Sequence, residues 1–103
     1  MLNNKNESEI EIIAEIAQGY EGDQKVTELL TKGAISSGAD AVKYQLVYAE
    51  ELATPDYQYY DLFKSLEMSL VQWEQVSERI HKNKQRLYFD IFGFKSLTVA
   101  LDV

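Results

Sequence analysis

The feature that most constrains the fold is a nearly continuous apolar run, residues 10–17, rich in β-branched isoleucine. A strand with one solvated face alternates apolar and polar residues, whereas this run is apolar at positions of both parities. Such density is typical of a parallel strand that is covered on both faces. Residues 18–22 contain two glycines and are expected to form a turn.

A helix is expected after this turn, because Asp23 is a suitable N-cap and the next apolar residues recur at helical spacing. Gly38 lies where a left-handed residue would end the helix. The residues expected to face inward are Val26, Leu29, Leu30, Gly33 and Ala34.

The same strand–helix order repeats twice. Residues 41–46 and 87–92 form the second and third predicted strands, and a helical turn is expected at residues 59–66. Ser69 and Gln72 have the spacing of a capping box, and Met68 is placed to pack on Trp73 as a hydrophobic staple. In the helix that follows, Trp73, Val76 and Ile80 are expected to face inward, and Ser96 is expected to cap a further helix.

The resulting order is βα-βα-βα, which predicts an α/β fold with parallel strands and outer helices. Right-handed crossovers place the three strands side by side in chain order. Either a (β/α)8 TIM barrel or a small, open, doubly wound sheet begins in this way. Because a complete barrel takes about 250 residues, we expect residues 1–103 to be an N-terminal fragment of a barrel, with residues 1–8 as a polar leader.

Composition excludes several classes of protein. The formal net charge of −7 argues against a nucleic-acid or anionic-membrane partner. The absence of Cys excludes disulfides and thiol catalysis and suits a reducing compartment. No apolar run approaches the roughly 20 residues of a membrane span. A soluble, cytoplasmic, acidic α/β protein is therefore expected.

Alternation along the predicted strands places polar residues on one face, near the carboxyl ends of the strands. These are Glu15, then Lys43 with Gln45, then Asp90. Strands lie about 4.8 Å apart, so these side chains are expected to converge. Charged residues in a covered strand are either paired or functional. Two interpretations therefore remain: these residues form a ligand site, or they form a structural ion pair.

Other polar residues are weaker candidates. His81 is expected to be a solvated residue at a helix end, and Glu50 and Glu51 a solvated pair. Gly19 and Gly22 match no nucleotide-binding fingerprint. Tyr57, Tyr59 and Tyr60 are expected to pack around a helix, with a ligand platform as the alternative.

Several separate blocks, in this order and spacing, resemble the start of the sialic acid synthase (N-acetylneuraminate synthase) family. The resemblance extends from about residue 11 to residue 93. The blocks are residues 12–16 (IIAEI), 22–23 (GD), 38–45 (GADAVKYQ), 51–56 (ELATPD) and 60–67 (YDLFKSLE).

The resemblance implies a (β/α)8 enzyme that condenses phosphoenolpyruvate with an N-acylated hexosamine such as N-acetylmannosamine, releases phosphate and forms a nonulosonic acid. It also implies a divalent metal, Mn or Mg, whose ligands lie outside this chain, and a homo-oligomeric parent enzyme. Lys43 would contact phosphoenolpyruvate, Gln45 would line the same pocket, and Glu15 would hold the hydroxyl groups of the amino sugar. Asp90 would be a further substrate contact. A fragment of this size is expected to be inactive alone.

The chain departs from the family at two places. The family usually has Asn-His in the first turn, where this chain has Gly19 and Tyr20, and commonly has Ser-Thr-Pro after the third strand, where this chain has Asp90, Ile91 and Phe92. The acceptor sugar is therefore left open. Two other functions also remain open: a non-catalytic α/β module that pairs with a partner, and a different aldolase-type barrel.

Overall fold

The computed structural model describes residues 10–103, and its elements follow the predicted order. The polar leader predicted at residues 1–8 lies outside the described residues. The strands are β1 (Ile13–Ala17), β2 (Ala41–Gln45) and β3 (Arg86–Asp90). The helices are α1 (Gln24–Ser36), α2 (Ala49–Leu52), α3 (Tyr60–Ser65), α4 (Leu70–Lys82) and α5 (Phe94–Asp102).

The three strands form one parallel sheet in the order β1-β2-β3, as predicted. Glu15 lies opposite Lys43 across one strand pair, and Gln45 lies opposite Asp90 across the other. Each strand is shorter than its predicted apolar run. Ile10 and Ile12 precede β1 and are 75% and 57% exposed, so the first part of the run is not strand core.

The prediction that the strands are covered on both faces is wrong for the described residues. Val42 and Tyr44, which point toward the helices, are fully buried. On the other face, Ile13 is 40% exposed and the Lys43 side chain is 30% exposed. The reason is that α1 and α4 pack on the same side of the sheet, so one layer of helices covers one face.

Trp73 of α4 is the centre of the core on the covered side. Its ring makes edge-on contacts with Tyr20, Tyr44 and Phe89 at centroid distances of 5.1, 5.5 and 5.3 Å. Aromatic pairs of this geometry contribute about 0.5–1.5 kcal/mol each beyond area burial. The inward face predicted for α4 is confirmed, and so is its capping box of Ser69 and Gln72.

The inward face predicted for α1 is largely wrong. Leu29 and Leu30 are 69% and 36% exposed, whereas Thr27, Thr31 and Ala34 are buried. The phenol of Tyr44 explains this rotation, because its oxygen lies 2.5 Å from Thr31 Oγ1. A leucine in that place would leave a buried hydroxyl without a hydrogen-bond partner.

Other local predictions had mixed outcomes. The Asp23 cap is confirmed by its hydrogen bond from Val26 N at 3.0 Å, and Gly38 has the left-handed φ of +80° that was expected. In the turn predicted at residues 59–66, Leu66 is buried but Leu62 is 56% exposed. Ser96 is not an N-cap, because α5 begins two residues earlier with Gly93 as its cap.

Replacing Thr31 should show how much the core depends on this hydroxyl. Burial raises the pKa of Tyr44 to about 12, so the phenol stays protonated and needs its partner. We expect Thr31→Val to lower the free energy of unfolding by about 1–3 kcal/mol, measured by urea denaturation.

Thr31 Oγ1 also donates to the carbonyl of Thr27, four residues earlier, at 2.7 Å. Thr98→Val is the matched control, since Thr98 donates in the same way to the carbonyl of Phe94 at 2.9 Å but is exposed. Adding Tyr44→Phe to Thr31→Val should recover part of the loss, because the stranded hydroxyl is removed. Equal effects of Thr31→Val and Thr98→Val would contradict this account.

Candidate functional site

Lys43 of the central strand lies between two carboxylates from the neighbouring strands. Its Nζ is 3.1 Å from Asp90 Oδ1 on β3 and 3.6 Å from Glu15 Oε1 on β1. The predicted convergence of these three side chains is therefore confirmed as geometry. We call Glu15, Lys43 and Asp90 the mouth cluster, because they lie toward the carboxyl ends of the strands.

Strand alternation explains why Lys43 points away from the helices. Its neighbours Val42 and Tyr44 are both wholly buried in the helical side of the core. Because successive side chains in a strand point to opposite faces, burying these two commits Lys43 to the open face. The long aliphatic stem keeps the ammonium in reach of both carboxylates.

The Glu15 carboxylate contacts Lys43 and also the backbone two residues further along β1. Its second oxygen, Oε2, accepts a hydrogen bond from Ala17 N at 3.0 Å. This bond forms where the β1–β2 register shifts between Glu15 and Ala17, and where Ala17 has a φ of +54°. The irregular strand end thus directs the carboxylate toward β2.

Tyr20, in the turn between β1 and α1, binds the last residue of β2. It is fully buried, and its hydroxyl donates to the carbonyl of Gln45 at 2.7 Å. Burial raises the pKa of this phenol, so it remains a donor. Sequence reasoning did not identify this contact, because nothing in a turn sequence shows that its tyrosine inserts into the core.

Charge–charge contacts set the protonation of Lys43. The hydrogen bond and charge of Asp90, with a smaller contribution from Glu15, raise its pKa above the usual lysine value. Folding thus favours the charged form, and this contribution to stability is lost only as the pH rises through the raised pKa. The ammonium is therefore permanent at neutral pH, while the cluster as a whole carries one more negative than positive charge.

A shallow opening of about 530 Å³ gives solvent access to this face. Lys43 and Asp90 line it, together with apolar neighbours such as Ile13 and Phe89. A deeper groove of about 600 Å³ runs between α1 and α4 on the helical side, away from the mouth cluster. Of the mouth cluster, Lys43 and Asp90 line the first opening and Glu15 does not, and we take that opening as the candidate site.

A second polar cluster lies on the open face near the amino ends of the strands. Glu11 Oε2 accepts hydrogen bonds from Arg86 Nε at 2.7 Å and from the Tyr88 hydroxyl at 2.8 Å. These bonds, that of Tyr88 first, hold the pKa of Glu11 below its usual value. Sequence reasoning missed this cluster, although an acid within an apolar run was a signal that it needs a partner.

Among the weaker candidates, the prediction that Glu51 is solvated is wrong. Its carboxylate accepts from the backbone of Lys95 at 2.7 Å and of Ser96 at 3.3 Å. Glu50 is exposed, as expected.

His81 is exposed at the end of α4 and contacts the Ser77 hydroxyl at 3.1 Å. In the tyrosine group, Tyr57 stacks on Phe63 of α3 at 6.1 Å.

Two further observations concern residues 10–103. They contain no group of three or more His, Cys, Asp or Glu side chains that could hold a metal ion. None of the helices in this part of the chain is long and apolar enough to cross a bilayer.

Comparisons with known proteins place the fold. No family model matches the chain. It is 38% identical over 71 residues to an uncharacterized protein of Methanocaldococcus jannaschii, a match that covers 69% of this chain and 21% of that protein. It is also similar to the crystal structure of an N-acetylneuraminic acid (sialic acid) synthetase from Leptospira borgpetersenii in complex with citrate. That similarity has a TM-score of 0.79 at 21% identity and covers 90% of this chain and 33% of the other.

The resemblance to sialic acid synthases is thus confirmed at the level of the fold. The chain shares three parallel strands and their helices with the synthetase. It spans about a fifth of the length of the curated relative and a third of the synthetase chain.

The geometry predicts that the two carboxylates affect Lys43 unequally. Asp90→Asn should lower the pKa of Lys43 more than Glu15→Gln does, because Asp90 is closer and makes the dominant hydrogen bond. The pH dependence of Lys43 acetylation, followed by mass spectrometry, measures this pKa, since only the free amine reacts. Equal effects of the two variants, or none, would show that the ammonium is not held as described.

Proposed function

We propose that this chain is part of a phosphoenolpyruvate-dependent synthase that forms a carbon–carbon bond with an N-acylated hexosamine and releases phosphate. The observation that carries the proposal is the mouth cluster, a lysine between two acids at the carboxyl ends of parallel strands. Binding sites of parallel α/β folds lie at that end. The fold shared with a sialic acid synthetase supports the same conclusion.

In this proposal Lys43 binds the anionic substrate. Its ammonium is charged at neutral pH and reaches the open face, where it can donate to a carboxylate or phosphate oxygen. Gln45, two residues further along β2, is half-buried and shares the open face with Lys43, but it is not among the residues that line the opening. Its role as a substrate contact stays a proposal. Two carboxylates contact Lys43 and its ammonium has three N–H donors, so one donor is left for the anion.

In this proposal the two acids, Glu15 and Asp90, bind the hydroxyl groups of the amino sugar. Carboxylates accept hydrogen bonds from hydroxyl groups, so Glu15 orients the acceptor and exchanges protons with it. Asp90 contacts the same substrate from the opposite side of Lys43. The hydroxyl groups of a neutral sugar can donate to the remaining lone pairs of these carboxylates without breaking the ion pairs with Lys43.

The mouth cluster alone does not neutralise phosphoenolpyruvate, because its lysine is matched by two carboxylates. The proposal therefore requires further cationic groups from a longer protein that contains these residues. The described residues contain no group of three or more side chains that could hold a divalent metal, so the ligands of such a metal would also come from the longer protein. The catalytic unit of the proposal is a longer barrel enzyme to which this chain contributes three strands.

Lys43→Ala tests the proposal in the full-length protein that contains these residues. Loss of a charged hydrogen bond costs about 1.5–3 kcal/mol, so the KM for phosphoenolpyruvate should rise at least tenfold, or turnover should be lost. Phosphate release with phosphoenolpyruvate and N-acetylmannosamine or related N-acylated hexosamines measures both quantities. Lys25→Ala, on the exposed start of α1, is the matched control.

Two outcomes would overturn the proposal. Unchanged kinetics for Lys43→Ala would remove this residue from the substrate site. Failure of every N-acylated hexosamine to support turnover would reject the reaction and favour a different aldolase-type barrel.

A further inference from the structure

Glu51 joins the segment after β2 to the segment after β3. It lies on α2, and its carboxylate Oε2 accepts a hydrogen bond from Lys95 N at 2.7 Å. Ser96 N lies 3.3 Å from both carboxylate oxygens. These two N–H groups lie in the first turn of α5, where backbone donors have no hydrogen-bond partner within the helix. Glu51, a side chain from another element, therefore caps α5.

The contact is reciprocal. Lys95, whose backbone binds Glu51, extends its side chain back to the start of α2. Its Nζ lies 3.6 Å from Glu50 Oε1 and 4.6 Å from the centre of the Tyr48 ring. The start of α2 is itself anchored, since Ala49 N donates to Glu67 Oε2 at 2.9 Å.

Gly93 provides independent evidence that the fit is close. A Cβ at this position would lie 2.5 Å from Glu51 Oε2 and 2.7 Å from its Cδ, closer than real atoms approach. The φ of Gly93 is −179°, an extended conformation open to any residue. A side chain at this position would therefore displace the Glu51 carboxylate, without any strain in the backbone.

The first turn of α5 in turn orders the residues that follow Asp90. Ser96 Oγ accepts hydrogen bonds from Phe92 N at 2.9 Å and from Gly93 N at 3.2 Å. The carbonyl of Asp90 accepts from Leu46 N at 3.0 Å. The contacts therefore extend from Glu51 through the first turn of α5 to Phe92 and Gly93, and the chain connects these residues to Asp90, whose carboxylate binds Lys43.

We propose that Glu51 is a positioning residue that, by capping α5 and fixing the segment 91–93, holds Asp90 at hydrogen-bond distance from Lys43. Glu51 touches neither member of that pair and acts through backbone that it anchors. The inference does not depend on the substrate, so it stands or falls separately from the function proposed above.

The test is the pH profile of Lys43 acetylation by acetic anhydride in the chain, read by mass spectrometry with the exposed Lys25 as internal reference. The groups that face Lys43 are Glu15 on β1 and Asp90 with Tyr88 on β3. A looser Asp90 lowers the Lys43 pKa, and below that pKa the acetylation rate follows the free-amine fraction. Glu51→Ala should therefore raise the rate about twofold or more.

Three variants make the result specific. Glu74→Ala, at an exposed acid on α4 that takes no part in the α2–α5 contact, removes the same charge and should leave the Lys43 rate unchanged. Glu51→Gln keeps one acceptor oxygen and should give an intermediate rate. Glu51→Ala added to Asp90→Asn should produce no further increase, because the effect passes through Asp90.

Gly93→Ala tests the same contact from the opposite side. It should reproduce the effect of Glu51→Ala by displacing the carboxylate, and should add little in the Glu51→Ala background, where the clashing atoms are gone. Fluorescence of Trp73, the single tryptophan, reports whether each variant keeps its core. If Glu51→Ala fails to fold, Glu51→Gln and Gly93→Ala decide the outcome.

The proposal is overturned if Lys43 acetylation in folded Glu51→Gln and Gly93→Ala matches the parent chain. Equal effects of Glu74→Ala and Glu51→Ala would also overturn it, because the cause would then be net charge.

Discussion

Burial of Tyr44 in the helical layer is the interaction on which the rest of the structure depends. Its ring packs 5.5 Å from Trp73 and 6.2 Å from Phe89, and its hydroxyl is satisfied by Thr31 of α1. This contact fixes which face of β2 points inward. Because side chains alternate along a strand, it also commits Lys43 to the open face, and the parallel register then brings Glu15 and Asp90 alongside.

The open face is polar at both ends of the strands. Glu11, Arg86 and Tyr88 form one hydrogen-bonded cluster near the amino ends, and the mouth cluster lies near the carboxyl ends. In both, a cation is already paired before any ligand arrives. A ligand anion must therefore share the Lys43 ammonium with carboxylates, whereas a hydroxyl group can bind at the acids without separating the charges. The proposed function would use this difference, with the amino sugar at the acids and the anionic substrate at Lys43.

Sequence reasoning succeeded where a local rule was enough. The Asp23 cap, the capping box of Ser69 and the left-handed Gly38 each depend on a few neighbouring residues, and each is confirmed. It failed where two distant elements decide the outcome. The inward face of α1 was misassigned because hydrophobicity favours Leu29 and Leu30, whereas a buried phenol on β2 requires threonine.

The same limit applies to the candidate site. Alternation within each strand was sufficient to place Glu15, Lys43 and Asp90 on one face, and parallel order to place them side by side. Their roles in binding or catalysis stay predictions. Tyr20 and Glu51 support the site from a turn and a short helix, and no periodicity connects either residue to its partner. Glu51 in particular resembles a solvated acid next to Glu50 until α5 is placed beside it.

The sequence by itself determined the order of strands and helices, the parallel sheet and the polar face of each strand, because these follow from periodicity and from the handedness of crossovers. Tertiary structure alone decided which face of α1 is buried, which acid lies nearest Lys43 and which residue caps α5. Those outcomes depend on distances between segments far apart in the chain, and such distances are set only when the side chains of different elements pack together.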